Sequence, residues 1–342
     1  MNLFPSARTR VTGRTALVGA AVLAALAMVN HVAARRAERK HPPRGRFVEV
    51  DGVRLHYSDR GHGTPVVLVH GNAVTGDDYN TSGVAERLLE NHRVIIFDRP
   101  GFGHSQRPHG RMWTAMEQAE LLHGASQQLG VERPVVVGHS WGAIVALSLA
   151  ARHPADVAGL VLLSGYYFWT LRPDVLLVVP GAIPVLGDIL RYTVSPWLGR
   201  LMMPLLKRSM FSPLPVPPRF RSEYSDAMAL RPSQIRATSV DGALMIPGAL
   251  MNRSAYDDLH MPVVIMAGAA DKVVFARSAK RLQARIPGSV LQIVERVGHM
   301  VHYAVPGQVV EMVGRVVHTS AKAPREESQS PRAFPKGLAR AA

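Results

Sequence analysis

The chain has 342 residues, 47% of them hydrophobic, with 40 Lys+Arg against 25 Asp+Glu and no cysteine. That apolar fraction excludes wholesale disorder, and the length fits two domains or one large α/β domain carrying an insertion. A disulfide framework, an Fe–S cluster, a Cys-based zinc site and a thiol nucleophile are all excluded by the missing cysteine. The net charge of +15 sits mainly in the tails: residues 1–46 hold nine basic residues and one acidic, residues 321–342 hold five and two, and +4 is left on the body. A nucleic-acid-binding domain needs its basic face on the folded part, so no nucleic-acid partner is expected.

Residues 1–46 read as a basic segment containing a membrane helix at 15–34, followed by a linker. Twenty helical residues reach about 30 Å, enough to cross a hydrocarbon layer. The strictly apolar part, 16–29, is short enough for a signal-peptide core, and Val32-Ala33-Ala34 resembles a cleavage site. Arg35-Arg36 follow at once, which favours a retained single-pass anchor over export after cleavage, with an ordinary amphipathic helix as the third reading. Positive charges near the two ends differ by four to three, too few to set topology. His41-Pro42-Pro43-Arg44-Gly45-Arg46 is the linker.

From 47 onward short β-type runs alternate with helical patterns, which predicts a mainly parallel sheet with helices on both faces. Strands are expected at 47–50, 53–58, 66–69, 93–97, 135–137, 160–163, 263–266 and 291–294. The turn Asp51-Gly52 predicts that the first two form an antiparallel hairpin. Continuous runs such as VVLV, VIIF and LVLL suit strands buried on both faces. Helices are expected near 84–90, 115–129 and 143–152. The rhythm stops at 166–260, where eleven prolines accompany many Leu and Met residues. Proline at that density predicts an inserted cap of short helices, without long ones. The division expected is a catalytic core at 47–165 and 261–320, a helical cap at 166–260 and a disordered basic tail at 321–342.

Gly138-His139-Ser140-Trp141-Gly142 fits G-x-S-x-G, directly after a predicted strand and opening a predicted helix. The alternative is a serine that merely caps the helix. His70-Gly71-Asn72 follows another strand, where the backbone N–H of Asn72 can join that of Trp141 in holding an oxyanion; a plain glycine turn is the alternative. Asp271 lies just past the strand 263–266, and His299 follows Gly298 after the last strand. Ser140, Asp271 and His299 therefore come in nucleophile, acid, base order, each beyond a strand end. His302, His139 and His318 are rival histidines; His299 alone combines the glycine with that loop.

These motifs, together with Asp98-Arg99-Pro100-Gly101-Phe102-Gly103-His104-Ser105, resemble the α/β-hydrolase superfamily, in its cap-bearing branch of epoxide hydrolase-like and C–C hydrolase-like enzymes. The likeness spans roughly residues 47–318. It implies an eight-stranded, mainly parallel sheet with the cap inserted after strand 6. It also implies Ser140 as nucleophile, His299 as base, Asp271 as its orienter, and the amides of Asn72 and Trp141 as oxyanion hole. The run 98–105 is then a structural turn behind the site. Haloalkane dehalogenases and epoxide hydrolases carry aspartate at the elbow, so Ser140 argues against both. Ser164 occupies the alternative acid position after strand 6.

The function expected is a serine hydrolase cleaving an ester or related acyl bond of a small, fairly apolar substrate, without metal or cofactor. Tyr166 and Tyr167, at the start of the apolar cap, are candidate pocket residues, with cap core as the alternative. Haloperoxidase-like, C–C-cleaving or acyltransferase chemistry on the same residues is the second reading. A non-catalytic binding module is the third.

Overall fold

Eight strands form a single sheet in the computed structural model, which describes residues 13–170 and 178–322. They are β1 (Arg46–Val50), β2 (Val53–Arg60), β3 (Thr64–Val69), β4 (His92–Phe97), β5 (Val135–His139), β6 (Gly159–Leu163), β7 (Val263–Gly268) and β8 (Val290–Val294). Their order is β1-β2-β4-β3-β5-β6-β7-β8. The β1–β2 and β2–β4 pairs are antiparallel and the rest parallel. Each strand lies where the alternation of apolar runs and turn residues predicts it, with ends extended by up to two residues.

The helices before and within the first half of the sheet are α1 (Gly13–Lys40), α2 (Asp77–Thr81), α3 (Val84–Leu88), α4 (Ala115–Gln128) and α5 (Trp141–Arg152). Between β6 and β7 come α6 (Leu186–Tyr192), α7 (Ser195–Phe211), α8 (Pro218–Glu223), α9 (Asp226–Ala229), α10 (Pro232–Ala243) and α11 (Met245–Asn252). The chain finishes with α12 (Arg277–Gln283), α13 (Val301–Ala304) and α14 (Pro306–Lys322).

Period-two alternation decides which side chain meets which layer. In β3, Val67 and Val69 face a cluster with Leu121, Leu122, Ile144 and Leu147 from α4 and α5. Val66 and Leu68 face the opposite cluster with Val84, Leu88, Val309 and Val313 from α3 and α14. Each such side chain, fully buried, contributes about 1.5–3 kcal/mol. Strands β5, β6 and β7 are buried throughout, so both faces are covered where the sheet carries its central loops.

Two sequence expectations are corrected. Proline does not forbid a long helix in the insertion: α7 has 17 residues with Pro204 inside. Pro204 lies on the exposed arc, while Met203, Met210 and Phe211 are buried, and that packing offsets the roughly 3 kcal/mol an internal proline costs. The tail boundary also moves, because α14 runs through Ala321 to Lys322; the expected disorder of 323–342 falls outside the described residues, as do residues 171–177 of the insertion.

α1 is long and apolar enough to cross a membrane, properties that a signal sequence shares. It extends past the expected end at 34 and stops only before His41-Pro42, since a residue preceding proline avoids helical geometry. Its last third docks on the body. Asn30 Nδ2 donates to the carbonyls of Tyr192 and Thr193 at 2.8 and 2.9 Å, and Glu38 Oε1 lies 3.1 Å from Arg231 Nη1.

Candidate active site

Ser140 occupies the single-residue turn between β5 and α5. Its φ of 53° and ψ of −117° form a conformation that a non-glycine residue keeps only where its surroundings enforce it. Two glycines do so. A Cβ on Gly142 would lie 2.1 Å from the carbonyl oxygen of Val69, and one on Gly138 would lie 2.5 Å from that of Gly142. The helix start therefore packs backbone to backbone against β3, and neither position has room for a side chain. Although Ser140 stands at the N-cap position, its side chain makes no capping bond. Oγ lies 3.0 Å from His299 Nε2 instead, across 159 residues of sequence.

His299 Nδ1 is 2.9 Å from Asp271 Oδ2. The second Asp271 oxygen accepts from the backbone N–H groups of Val273 and Val274, both at 2.8 Å. All three side chains are buried. A carboxylate only accepts, so these partners assign the proton to Nδ1 and turn the Nε2 lone pair toward the serine hydroxyl. The rival histidines are engaged elsewhere. His302 Nε2 lies 2.8 Å from Asp78 Oδ2, and His318 is exposed. His139 Nε2 reaches the His299 carbonyl at 3.3 Å. Burial, reinforced by His302 and His299, pushes the His139 imidazole well below its usual range.

Trp141 opens α5, and N–H groups in a first helical turn have no acceptor within the helix. Asn72 lies in the loop after β3. Its side-chain amide is engaged by Thr238 O at 3.1 Å and Ala73 N at 3.0 Å. The carbonyls of this loop are pinned from behind. Arg99 donates from Nε to His70 O at 2.8 Å and from Nη2 to Gly71 O at 2.9 Å. His70 donates from Nδ1 to Gly71 O and accepts at Nε2 from the Arg99 amide. Burial, then the Arg99 charge, pushes His70 down to about 4, so it is the neutral ring this pattern requires.

Arg99 is itself paired with Asp241 Oδ2 at 2.6 Å, and Arg107 Nη2 holds Asp241 Oδ1 at 2.9 Å. No side chain in this trio is more than 3% exposed. Asp241, on α10, was not anticipated; nothing in its own surroundings distinguishes it, and the only signal was an arginine within an apolar turn. The run 98–105 is structural as expected. Asp98 accepts from the amides of Gly76 at 2.8 Å and His104 at 3.0 Å and meets His56 Nδ1 at 2.7 Å. Burial alone would raise its carboxyl, yet His56 holds it below the ordinary value. The insertion also touches the histidine loop directly: the His299 amide donates to Met210 O, at the end of α7, at 3.1 Å.

Tyr166 and Tyr167 are buried in the main core with Trp141 and Ile144. The Tyr166 hydroxyl accepts from Thr170 N at 2.9 Å and that of Tyr167 from Gly165 N at 3.2 Å. A cavity of about 570 Å³ lined by His56, Asp98, His104, Arg219 and Tyr303 includes none of the residues above that were expected to act in catalysis. Metal-type donors come together in two groups among the described residues, Asp78/His139/His302 and His123/His153/Asp156.

A family model described as the alpha/beta hydrolase fold matches residues 64–304. The 2-hydroxy-6-oxo-2,4-heptadienoate hydrolase of Pseudomonas putida is 29% identical over 272 residues, covering 75% of this chain and 90% of that one. A thermophilic esterase from Thermogutta terrifontis shares the fold with a TM-score of 0.60 at 20% identity, over 81% of this chain and 99% of the esterase. A bacterial membrane phospholipase A gives a TM-score of 0.62 at 22% identity over 92% of this chain and 96% of its own. Residues 46–342 are too few to make up 92%, so this last likeness reaches into α1. With the family match spanning most of the sheet and its loops, the chain belongs to the α/β-hydrolase fold family.

Proposed function

We propose that the protein is a serine hydrolase cleaving an ester or related acyl bond of a fairly apolar substrate, held at a membrane by α1. The observation that carries this reading is the relay from Ser140 Oγ to His299 Nε2 at 3.0 Å and from His299 Nδ1 to Asp271 Oδ2 at 2.9 Å. His299 Nε2 takes the hydroxyl proton as Oγ attacks the substrate carbonyl, and Asp271 holds the imidazole tautomer and stabilises the imidazolium. The amides of Asn72 and Trp141 receive the tetrahedral oxyanion. His299 then protonates the leaving group, and water, deprotonated by the same nitrogen, releases the acid. Tyr166 and Tyr167 have their hydroxyls occupied by backbone, so any contact with substrate comes from their rings.

Retention of α1 is supported by Asn30, whose bonds to the insertion a cut at 34 would remove. The fold likeness to a membrane phospholipase A, which extends into α1, points the same way. A C–C-cleaving reaction is the second reading, favoured by the dienoate hydrolase at 29% identity. Fluorophosphonate labelling that disappears in Ser140→Ala, with turnover across an ester chain-length series, tests the first. Turnover of vinylogous 1,5-diketones without ester cleavage would transfer the assignment to the second, and labelling that persists in Ser140→Ala would end both.

A further inference from the structure

Helix α7 breaks the rule for a surface helix. Such helices bury an apolar stripe and turn polar residues outward. α7 buries Pro196, Met203 and Met210, yet its outward arc carries Trp197, Leu198, Leu201 and Leu205, with Leu201 79% and Leu205 68% exposed. The preceding segment adds Val185 and Ile189 to the same exposed set. Isolated apolar residues on a surface need no explanation, but a run of this size marks an interaction surface.

Two observations identify the occupant as a lipid bilayer. The first is place: the α6–α7 junction is the point where Asn30 binds the carbonyls of Tyr192 and Thr193. N-terminal to that anchor point, residues 15–29 of α1 stand as an almost wholly exposed apolar rod, about 22 Å long. A hydrocarbon layer is about 30 Å thick, so a bilayer that takes up the rod reaches the level of Asn30 and of the patch beside it. The second is charge: between Asp188 and Glu223 there is no acidic residue against six basic ones, and although Arg191, Lys207 and Arg219 pair with Asp188, Asp226 and Glu86, the fringe keeps Arg200 and Arg208. Arg200 and Arg208 are exposed, and the Arg200 guanidinium sits 4.7 Å from the Trp197 ring centre. Apolar residues with an aromatic residue and a basic fringe are the composition of helices that lie in the headgroup layer of anionic membranes.

We propose that the outward face of α6 and α7 is a second membrane contact, lying in the interfacial layer of an anionic bilayer beside α1. It extends the anchor reading of α1 and uses that reading to place the lipid. The test uses the full chain, which has no native cysteine, with one spin label each at Leu201→Cys, Leu205→Cys, Val22→Cys and Gln128→Cys in phosphatidylcholine–phosphatidylglycerol vesicles. Val22 reports on α1, and the exposed Gln128, at the end of α4, on the aqueous side. The expected result is an oxygen-to-nickel collision ratio several-fold higher at 201 and 205 than at 128. Ratios at 201 and 205 equal to that at 128 overturn the proposal, while the label at 22 judges the anchor independently. Spin–spin broadening at 201 that disappears on dilution with unlabelled protein also overturns it, because a second copy then covers the face.

Discussion

Asp241→Ala removes the shared partner of two buried arginines, and the structure gives the size of the effect. Arg99 and Asp241 have side chains with 0% exposure and Arg107 has 3%, so water cannot replace the lost carboxylate. Breaking a buried pair by deleting one partner costs about 3–5 kcal/mol. For a body of this size that lowers Tm by roughly 5–9 °C. Arg99 also holds the His70 and Gly71 carbonyls, so kcat on an ester should fall with stability as the loop bearing Asn72 loosens. The double variant Arg99→Met/Asp241→Leu separates the two effects. Removing both charges restores much of the stability, but the carbonyl bonds of Arg99 are gone and kcat stays low. Thermal unfolding in detergent beside initial rates on a p-nitrophenyl ester reads both quantities. A loss under 1 kcal/mol in Asp241→Ala, or full kcat in the double variant, would refute the clamp.

Further outcomes follow from the same geometry. Asp271→Asn keeps the packing but misdirects the imidazole tautomer, so kcat should drop about 10⁴-fold with Tm nearly unchanged; equal rates would remove Asp271 from the relay. Gly142→Ala places a methyl 2.1 Å from Val69 O, and loss of folded protein on expression, set beside intact Ser140→Ala, checks the elbow packing. His70 has its folded value pushed down to about 4 from 6.5, and His139 also lies well below 6.5. Both are neutral when folded, so the unfolded chain binds the extra protons. Stability is therefore full above pH 6.5 and falls as pH drops toward 4, by up to about 1.4 kcal/mol per pH unit from His70. Urea midpoints measured from pH 7 to 4 would contradict this if flat, and His70→Asn should shallow the slope.

The sheet was legible because local patterns dictate it. Runs such as Val66-Val67-Leu68-Val69 admit only a strand covered on both faces, and Gly138 and Gly142 flank a serine in the one arrangement a strand-to-helix turn tolerates. Ser140, Asp271 and His299 were readable as positions past strand ends, which the parallel topology brings to one rim. The Arg99–Asp241 pair was not, since its partners stand 142 residues apart and no short-range pattern couples them. α7 escaped for a different reason: proline density describes backbone cost alone, and whether Pro204 breaks a helix depends on what the neighbouring turns bury.

The bond from the His299 amide to Met210 O ties the C-terminal end of α7 to the loop that carries the imidazole. An insertion that swung clear of the sheet would take this acceptor away from the His299 amide, so opening there and loss of that bond go together.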